Sequence, residues 1–139
     1  MRTHPLADKT SLSGVRRAIR SDLNRAGADP SLSFDCLVAV TEACTNALMH
    51  GHGTEDPAPE IRWEIDRGEV RFFVQDYSNQ QWSRTSHPSW NGADDLDEER
   101  VGGFGLDLMR GLMDEVELHI GPDGTTVCLT KSIRSGATA

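Results

Sequence analysis

The spacing of apolar residues along this chain changes from a helical period to a strand period, and then does so again. In residues 10–27, Val15, Ile19 and Leu23 lie four positions apart, which predicts an amphipathic helix with a basic outer face. Residues 31–50 continue with a second helical pattern. Because a helix and a half-buried strand need different periods, this order favours a fold in which helices cover a sheet.

The second predicted helix follows a Gly-Ala-Asp-Pro break in the sequence. Ser31 or Ser33 is the predicted N-terminal cap, and Gly51 and Gly53 end the helix. The pattern assigns five side chains to its buried stripe: Phe34, Leu37, Val38, Cys44 and Leu48.

Two pairs of strands are predicted from alternating apolar residues. Residues 60–66 and 70–74 form the first pair, joined at Arg67-Gly68 as an antiparallel hairpin. The second pair follows a third helix, predicted over residues 105–113, and turns at a Gly-Pro-Asp-Gly segment. The predicted fold class is therefore α/β (α+β), a two-layer sandwich of a mixed, mostly antiparallel sheet with helices on one face.

Residues 77–101, between the two strand pairs, have no apolar periodicity. They are rich in Ser, Asn, Gln, Pro and acidic side chains. Because so long an irregular stretch in a compact domain is usually functional, we predict a lid over a binding site. Residues 1–139 are predicted to form one domain, with a disordered tail at 135–139.

Composition limits the class of protein. The formal net charge of −8 argues against direct nucleic-acid binding, which depends on clustered basic side chains. We find no signal peptide and no apolar run near the roughly 20 residues that a membrane span needs, so we expect a cytoplasmic protein that binds no membrane. The three cysteines lack a CxxC spacing and are predicted to be reduced, structural thiols.

A line of polar residues lies along the second predicted helix, because Glu42, Asn46 and His50 are spaced four apart. An asparagine oxygen is a suitable ligand for Mg²⁺, and Glu42 could orient or deprotonate a hydroxyl group near a phosphate. The alternative is a solvated helix face, which the spacing alone favours.

Two further features suggest a phosphate ligand. Alternation along residues 70–76 places the Asp76 carboxylate on the core side, where an adenine amino group would be a suitable partner. A strand-ending aspartate turned towards solvent is the alternative. Residues 102–106, Gly-Gly-Phe-Gly-Leu, are predicted to open a helix and to offer backbone N–H groups to phosphate oxygens, although glycines at a lid hinge would look the same.

Four segments of the chain together resemble, in this order, the conserved boxes of the histidine-kinase-like (GHKL) ATPase superfamily. They are Glu-Ala-Cys-Thr-Asn-Ala-Leu-Met-His-Gly at 42–51, Val-Gln-Asp at 74–76, Gly-Phe-Gly-Leu at 103–106 and Gly-Thr-Thr-Val at 124–127. Within this superfamily the chain resembles the short, single-domain anti-sigma factor serine/threonine kinases. The resemblance spans residues 32–131.

The resemblance implies a Bergerat-type ATP-binding fold and the cofactors ATP and Mg²⁺. In that fold Asn46 would hold the metal, Glu42 would act as the catalytic base, and Asp76 would bind adenine. The other residues implied in nucleotide binding are Gly103, Phe104, Gly105, Leu106 and Thr125. As partners, the resemblance implies a sigma factor, a STAS-type anti-anti-sigma protein phosphorylated on Ser or Thr, and a second copy of the chain in a homodimer.

The chain departs from the superfamily at the first glycine box, which has the pattern Asp-x-Gly-x-Gly. Here Ser78 and Gln80 replace both glycines, and Ser78 could instead offer its hydroxyl group to the base, directly or through water. Two functions therefore stay open: a kinase, and a non-catalytic regulatory module of the same fold with weak or lost ATP binding. A histidine-kinase-like domain with another target is a third, but the chain has no phosphoacceptor-helix domain.

Overall fold

The structure, a computed structural model, describes residues 2–50, 58–77, 100–122 and 124–133. The predicted tail at 135–139 and residues 78–99 of the predicted lid lie outside these ranges. The helices and strands, in chain order, are β1 (Arg2–Pro5), α1 (Ser11–Arg25), α2 (Pro30–His50), β2 (Glu60–Asp66), β3 (Glu69–Asp76), α3 (Arg100–Leu112), β4 (Glu115–Gly121) and β5 (Gly124–Ser132).

The five strands form one sheet in the order β1-β2-β3-β5-β4, and every neighbouring pair is antiparallel. The sequence predicted a mixed, mostly antiparallel sheet, whereas every strand pair in the described sheet is antiparallel. The strands β3 and β4 do run in the same direction, but β5 lies between them and is antiparallel to both. The helices pack on one face of this sheet, which confirms the predicted two-layer arrangement.

The predicted hairpin of β2 and β3 is confirmed. Its strands pair from Glu60–Gln75 to Asp66–Glu69, which leaves two residues for the turn. Both turn residues have positive φ, 55° at Arg67 and 77° at Gly68, as a two-residue type I′ turn requires. The hairpin places Phe72, Val74 and Asp76 of β3 on the face that the helices cover.

Helix α1 buries Val15, Ile19 and Leu23, as its four-residue spacing predicts. One hydrogen bond ties it to the sheet, because the indole Nε1 of Trp63 in β2 donates to Oδ2 of Asp22 at 2.9 Å. The strand β1, which the sequence did not predict, lies at the edge beyond β2 and pairs with it through backbone hydrogen bonds.

Helix α2 begins at Pro30, and its cap is Asp29 rather than Ser31 or Ser33. The Oδ1 atom of Asp29 accepts a hydrogen bond from the backbone N–H of Leu32 at 3.0 Å. Proline is well suited to the first position of a helix because it has no N–H group to satisfy and its φ angle is already helical. The two predicted caps, Ser31 and Ser33, therefore lie inside the helix, and the prediction was wrong.

The buried stripe of α2 is rotated from the predicted one. Phe34 is 65% exposed, and Val38 and Leu48 are only half-buried, so the prediction was wrong for Phe34 and incomplete for the other two. The prediction is confirmed for Leu37 and Cys44, and the other buried apolar side chains of the helix are Cys36, Ala39, Val40, Ala43 and Ala47. These are mostly small residues, which allow the helix to lie close to β3 and β5.

Residues Pro30–Met49 of α2 are long and apolar enough to cross a membrane by length and composition alone, contrary to our expectation that no segment would be. Half of that window is buried inside the described fold. A central core helix of a folded domain passes the same test. In this structure α2 packs against α1, α3, β3 and β5, so its apolar surface serves the core.

Candidate functional site

Helices α2 and α3 come into close contact at Gly105. A Cβ atom at this position would lie 2.8 Å from Oε2 of Glu42 and 3.0 Å from Nδ2 of Asn46. Separations below 3.0 Å essentially never occur for real Cβ atoms, so the contact is compatible only with glycine unless these side chains shift. The structure thus brings together three residues that the sequence assigned to the site.

The two side chains of α2 in this contact differ in exposure. Asn46 is 4% exposed, whereas Glu42 is half-buried. A buried amide has a carbonyl oxygen and two N–H groups that need partners, and its oxygen can coordinate a cation. Glu42 is half-buried as a whole residue, so part of its side chain is accessible from outside.

A second group of predicted site residues lies on the sheet. Asp76, the last residue of β3, pairs with Thr125 of β5, and the two side chains are 3% and 1% exposed. Within the described parts of the chain, Oγ1 of Thr125 is buried and has no hydrogen-bond partner. Because an unsatisfied buried hydroxyl group costs about 1–3 kcal/mol, this atom is well placed to bond with a ligand.

Gly124 brings β5 close to the end of β3. Its φ angle is 131°, and a Cβ atom on it would overlap the carbonyl oxygen of Asp76 and lie 2.8 Å from Cα of Tyr77. Only glycine combines this backbone conformation with this approach. The first residue of the Gly-Thr-Thr-Val segment therefore fixes the position of the peptide that follows the candidate base-binding carboxylate.

A pair of side chains that the sequence did not single out supports the same peptide. The Nε2 atom of Gln75 donates to the carbonyl oxygen of Asp76 at 3.1 Å, and Oγ1 of Thr126 donates to Oε1 of Gln75 at 2.7 Å. Both residues lie on the face of the sheet opposite Asp76. No local pattern could have identified them, because the bond depends on the register between β3 and β5.

Helix α2, which carries Glu42 and Asn46, packs across β3 and β5, which carry Asp76 and Thr125. A model of the histidine kinase-like ATPase domain matches residues 6–131. The chain belongs to this family. Over 139 aligned residues it is 30% identical to the serine-protein kinase RsbW of Staphylococcus aureus, with 96% of this chain and 86% of RsbW covered.

Two solved structures have the same fold. The RsbU and RsbW domains of Rv1364c from Mycobacterium tuberculosis match with a TM-score of 0.69 and 26% identity over 95% of this chain. This chain covers 31% of that longer protein. The SiaB-SiaC complex from Pseudomonas aeruginosa matches with a TM-score of 0.71 and 14% identity, over 94% of this chain and 88% of that one.

Membership in the ATPase family directs attention to the Gly-Phe-Gly-Leu box. The structure begins α3 at Arg100, so Gly103 lies at the end of its first turn and Phe104 in its second, and the last two residues of the predicted lid are helical. Leu106 is 5% exposed and Gly105 is also buried. Contacts of this box with phosphate remain predictions, as does the role of Ser78, which lies outside the described residues.

The residues present fit the nucleotide and the ion that an ATPase domain implies. A buried hydroxyl group at Thr125 without a partner among the described residues, paired across the strands with the buried Asp76, is expected of a site built around a ligand. The described residues contain no group of three or more His, Cys, Asp or Glu side chains that could hold a metal ion. Mg²⁺ commonly binds few protein groups and takes its other ligands from phosphates and water, so a single asparagine is a chemically reasonable donor.

Proposed function

We propose that this protein is an anti-sigma serine/threonine kinase. It binds ATP with Mg²⁺, sequesters a sigma factor, and phosphorylates a serine or threonine of a STAS-type anti-anti-sigma partner. The observation that carries the proposal is the contact of Glu42, Asn46 and Gly105, which sets a carboxylate beside a buried amide next to the Gly-Phe-Gly-Leu box. Similarity to the serine-protein kinase RsbW supports the choice of reaction.

In this proposal the sheet end binds the base. The Asp76 carboxylate accepts a hydrogen bond from the adenine amino group, and the buried Thr125 hydroxyl bonds to the same ring system, directly or through water. Ser78 comes two residues after the end of β3 and would contribute its hydroxyl group there. The base is thus held by side chains rather than by a glycine-rich turn.

The helix side performs the chemistry. The amide oxygen of Asn46 would hold Mg²⁺, which would supply charge neutralisation at the phosphates of ATP, and backbone N–H groups near Gly103 would donate to phosphate oxygens. Glu42 accepts the proton of the substrate hydroxyl as its oxygen forms a bond to the terminal phosphorus and the bond to ADP breaks. Its half-buried position leaves it accessible to a hydroxyl group on another protein.

The test is phosphoryl transfer from labelled ATP to purified STAS-domain proteins of the source organism, together with calorimetric titration of Mg-ATP. Asn46→Ala should abolish saturable Mg²⁺-dependent binding, whereas Glu42→Gln should keep binding and lose transfer by at least about 100-fold, as expected for a general base. Asn24→Ala on the exposed surface of α1 is the matched control and should behave as wild type. Undiminished transfer by Glu42→Gln would rule out the proposed base.

A second function is a non-catalytic regulatory module of the same fold. Ser78 and Gln80, in place of two glycines, favour it, because side chains there narrow the approach to the base and restrict the backbone. This function predicts a stable complex with a sigma factor and no phosphoryl transfer. Stoichiometric phosphorylation of any STAS-domain protein would exclude it.

We also propose that the working state is a cytoplasmic homodimer that contacts neither nucleic acid nor membrane directly. The net charge of −8 supports the absence of nucleic-acid binding, since that mode draws its affinity from basic clusters. Sedimentation velocity of the purified protein over a concentration series measures the oligomeric state. A monomer at all concentrations, with and without Mg-ATP, would contradict the dimer.

A further inference from the structure

The carbonyl oxygen of Asp76, at the end of β3, is held from two sides. A Cβ atom on Gly124 would overlap this oxygen, so the backbone of β5 lies directly against it. From the face of the sheet opposite the helices, Nε2 of Gln75 donates a hydrogen bond to the same oxygen at 3.1 Å. The protein itself therefore fixes the orientation of this carbonyl group.

The amide group of Gln75 is in turn held by β5. Its Oε1 atom accepts a hydrogen bond at 2.7 Å from Oγ1 of Thr126, the residue opposite it in the strand register. Both side chains are half-buried. Because the two hydrogen bonds share one planar amide group, the bond from Thr126 aims the N–H group of Gln75 at the Asp76 carbonyl. We call Gln75 and Thr126 the outer pair.

A second contact holds the residue that follows Asp76. Tyr77 is half-buried, and its hydroxyl group is hydrogen-bonded to the carboxylate of Glu60 on β2. Burial and the charge of Glu60 raise the pKa of the Tyr77 phenol, so the phenol stays protonated and donates this bond. The residues on both sides of Asp76 are thus tied to neighbouring strands, Gln75 to β5 and Tyr77 to β2.

These contacts reach the Asp76 carboxylate through the backbone. The direction of a carbonyl group sets the ψ angle of its own residue, and the backbone angles decide which side-chain rotamers are allowed. Asp76 is only 3% exposed and faces the helices, on the other side of the sheet from the outer pair. Because a hydrogen bond weakens steeply when its atoms are out of line, a small rotation of Asp76 would weaken a bond to adenine.

We propose that Gln75 and Thr126 are positioning residues for base recognition. They touch no nucleotide themselves but hold the Asp76 peptide so that the carboxylate of Asp76 meets the exocyclic amino group of adenine. The outer pair therefore sets how strongly the protein distinguishes adenine from a purine with a carbonyl group in place of that amino group. This inference rests on the proposed binding of ATP at Asp76.

The test measures the Kd of ATP and of inosine triphosphate (ITP), both with Mg²⁺, by calorimetry for wild type, Gln75→Met and Thr126→Val. ITP has the same ribose and triphosphate as ATP but carries a carbonyl oxygen in place of the amino group. Wild type should prefer ATP at least about tenfold, as expected for a hydrogen bond to a charged group. Each variant should lower this preference about threefold or more, mainly by weakening ATP binding, because the bond to Asp76 is misaligned.

The ratio of the two Kd values separates positioning from a general loss of structure. Partial unfolding weakens the binding of both nucleotides by the same factor and leaves their ratio unchanged. Thr126→Ser keeps the hydroxyl group, so it should retain the wild-type ratio. The double variant Gln75→Met/Thr126→Val should lose no more preference than Gln75→Met alone, because Thr126 acts through Gln75.

The matched control is Thr130→Val, which makes the same change on the same face of β5. Thr130 is half-buried like Thr126 but lies opposite Arg71 instead of Gln75. Its preference for ATP over ITP should stay within about twofold of wild type, as expected of a surface change away from the site. A fall in Thr130→Val as large as that in Thr126→Val would overturn the proposal, because the effect would not depend on the outer pair.

The other outcomes separate this proposal from the one on which it rests. If wild type prefers ATP and both outer-pair variants keep that preference, the outer pair serves only the fold, and the positioning proposal is wrong while ATP binding stands. If wild type binds ATP and ITP equally, Asp76 does not recognise the amino group and the positioning proposal is also wrong. If wild type binds neither nucleotide, the positioning proposal and ATP binding fail together.

Discussion

Replacement of Gly105 by alanine tests whether α2 and α3 hold the candidate site in one geometry. At an exposed helical position this change would stabilise a protein by about 1 kcal/mol, because alanine has the higher helix propensity. At Gly105 the new Cβ atom would lie 2.8 Å from Oε2 of Glu42 and 3.0 Å from Nδ2 of Asn46. Overpacking of this kind costs about 1–3 kcal/mol, so we expect a net destabilisation of roughly 0–2 kcal/mol.

The effect on the site should exceed the effect on stability. Glu42 is half-buried and can swing away from the new methyl group, whereas Asn46 is 4% exposed and has little room to move. The relaxed state therefore separates the two groups, and we expect the Kd for Mg-ATP to rise at least tenfold, about 1.4 kcal/mol. Calorimetry measures the affinity, and thermal unfolding measures stability at roughly 3–4 °C per kcal/mol for a chain of this size.

The matched control is Gly111→Ala on the same helix, where a Cβ atom would meet nothing within 4 Å. This variant should be stabilised by about 0.5–1 kcal/mol and should bind ATP as wild type does. If Gly105→Ala is stabilised equally and keeps its affinity, the close contact between the helices does not exist and the reasoning is refuted.

Three further predictions each concern a single buried residue. Gly124→Ala should destabilise the protein by at least about 3 kcal/mol in urea unfolding, because φ is 131° and the new Cβ atom would overlap the carbonyl oxygen of Asp76. A loss of unfolding free energy below about 1 kcal/mol would contradict this geometry. Thr125→Val removes a buried hydroxyl group that has no partner among the described residues, so it should stabilise the free protein by about 1 kcal/mol and weaken ATP binding. Loss of stability without loss of ATP affinity would mean that the hydroxyl group serves the fold and not the nucleotide. Burial raises the pKa of the Cys44 thiol to about 12, so at pH 8 about one Cys44 side chain in 10,000 is the thiolate. Iodoacetamide should therefore modify the half-buried Cys128 first. Faster labelling of Cys44 would contradict its burial.

Local spacing predicted those parts of the fold in which one face of an element is clearly apolar. The four-residue spacing in α1 and the alternation in β2 and β3 each left one arrangement that buries the apolar side chains. Helix α2 is apolar on most of its surface, so two different stripes satisfied the helical period, and the sequence favoured the one that contains Phe34. The structure buries the stripe of small residues instead, because packing against two strands requires a close approach.

The long-range arrangement could not be predicted from spacing. The strand β1 is held by backbone pairing with β2 and has no alternating apolar pattern of its own. The antiparallel character of the whole sheet depends on β5 lying between β3 and β4. In the same way, alternation predicted that Asp76 faces the core, but its pairing with Thr125 and its support by Gln75 depend on the β3–β5 register.

The two glycines at the candidate site carry less weight for ATP binding than the buried polar groups do. A Cβ atom at Gly124 would meet backbone atoms of Asp76 and Tyr77, and one at Gly105 would meet the side chains of Glu42 and Asn46. Protein atoms alone therefore account for both glycines, even in a module that has lost its nucleotide. The Thr125 hydroxyl is different, since a buried group without a partner lowers the stability of the free protein and a valine would fit the same space. A ligand that bonds to this hydroxyl offsets that loss, and for this reason Thr125 supports nucleotide binding more directly than the two glycines do.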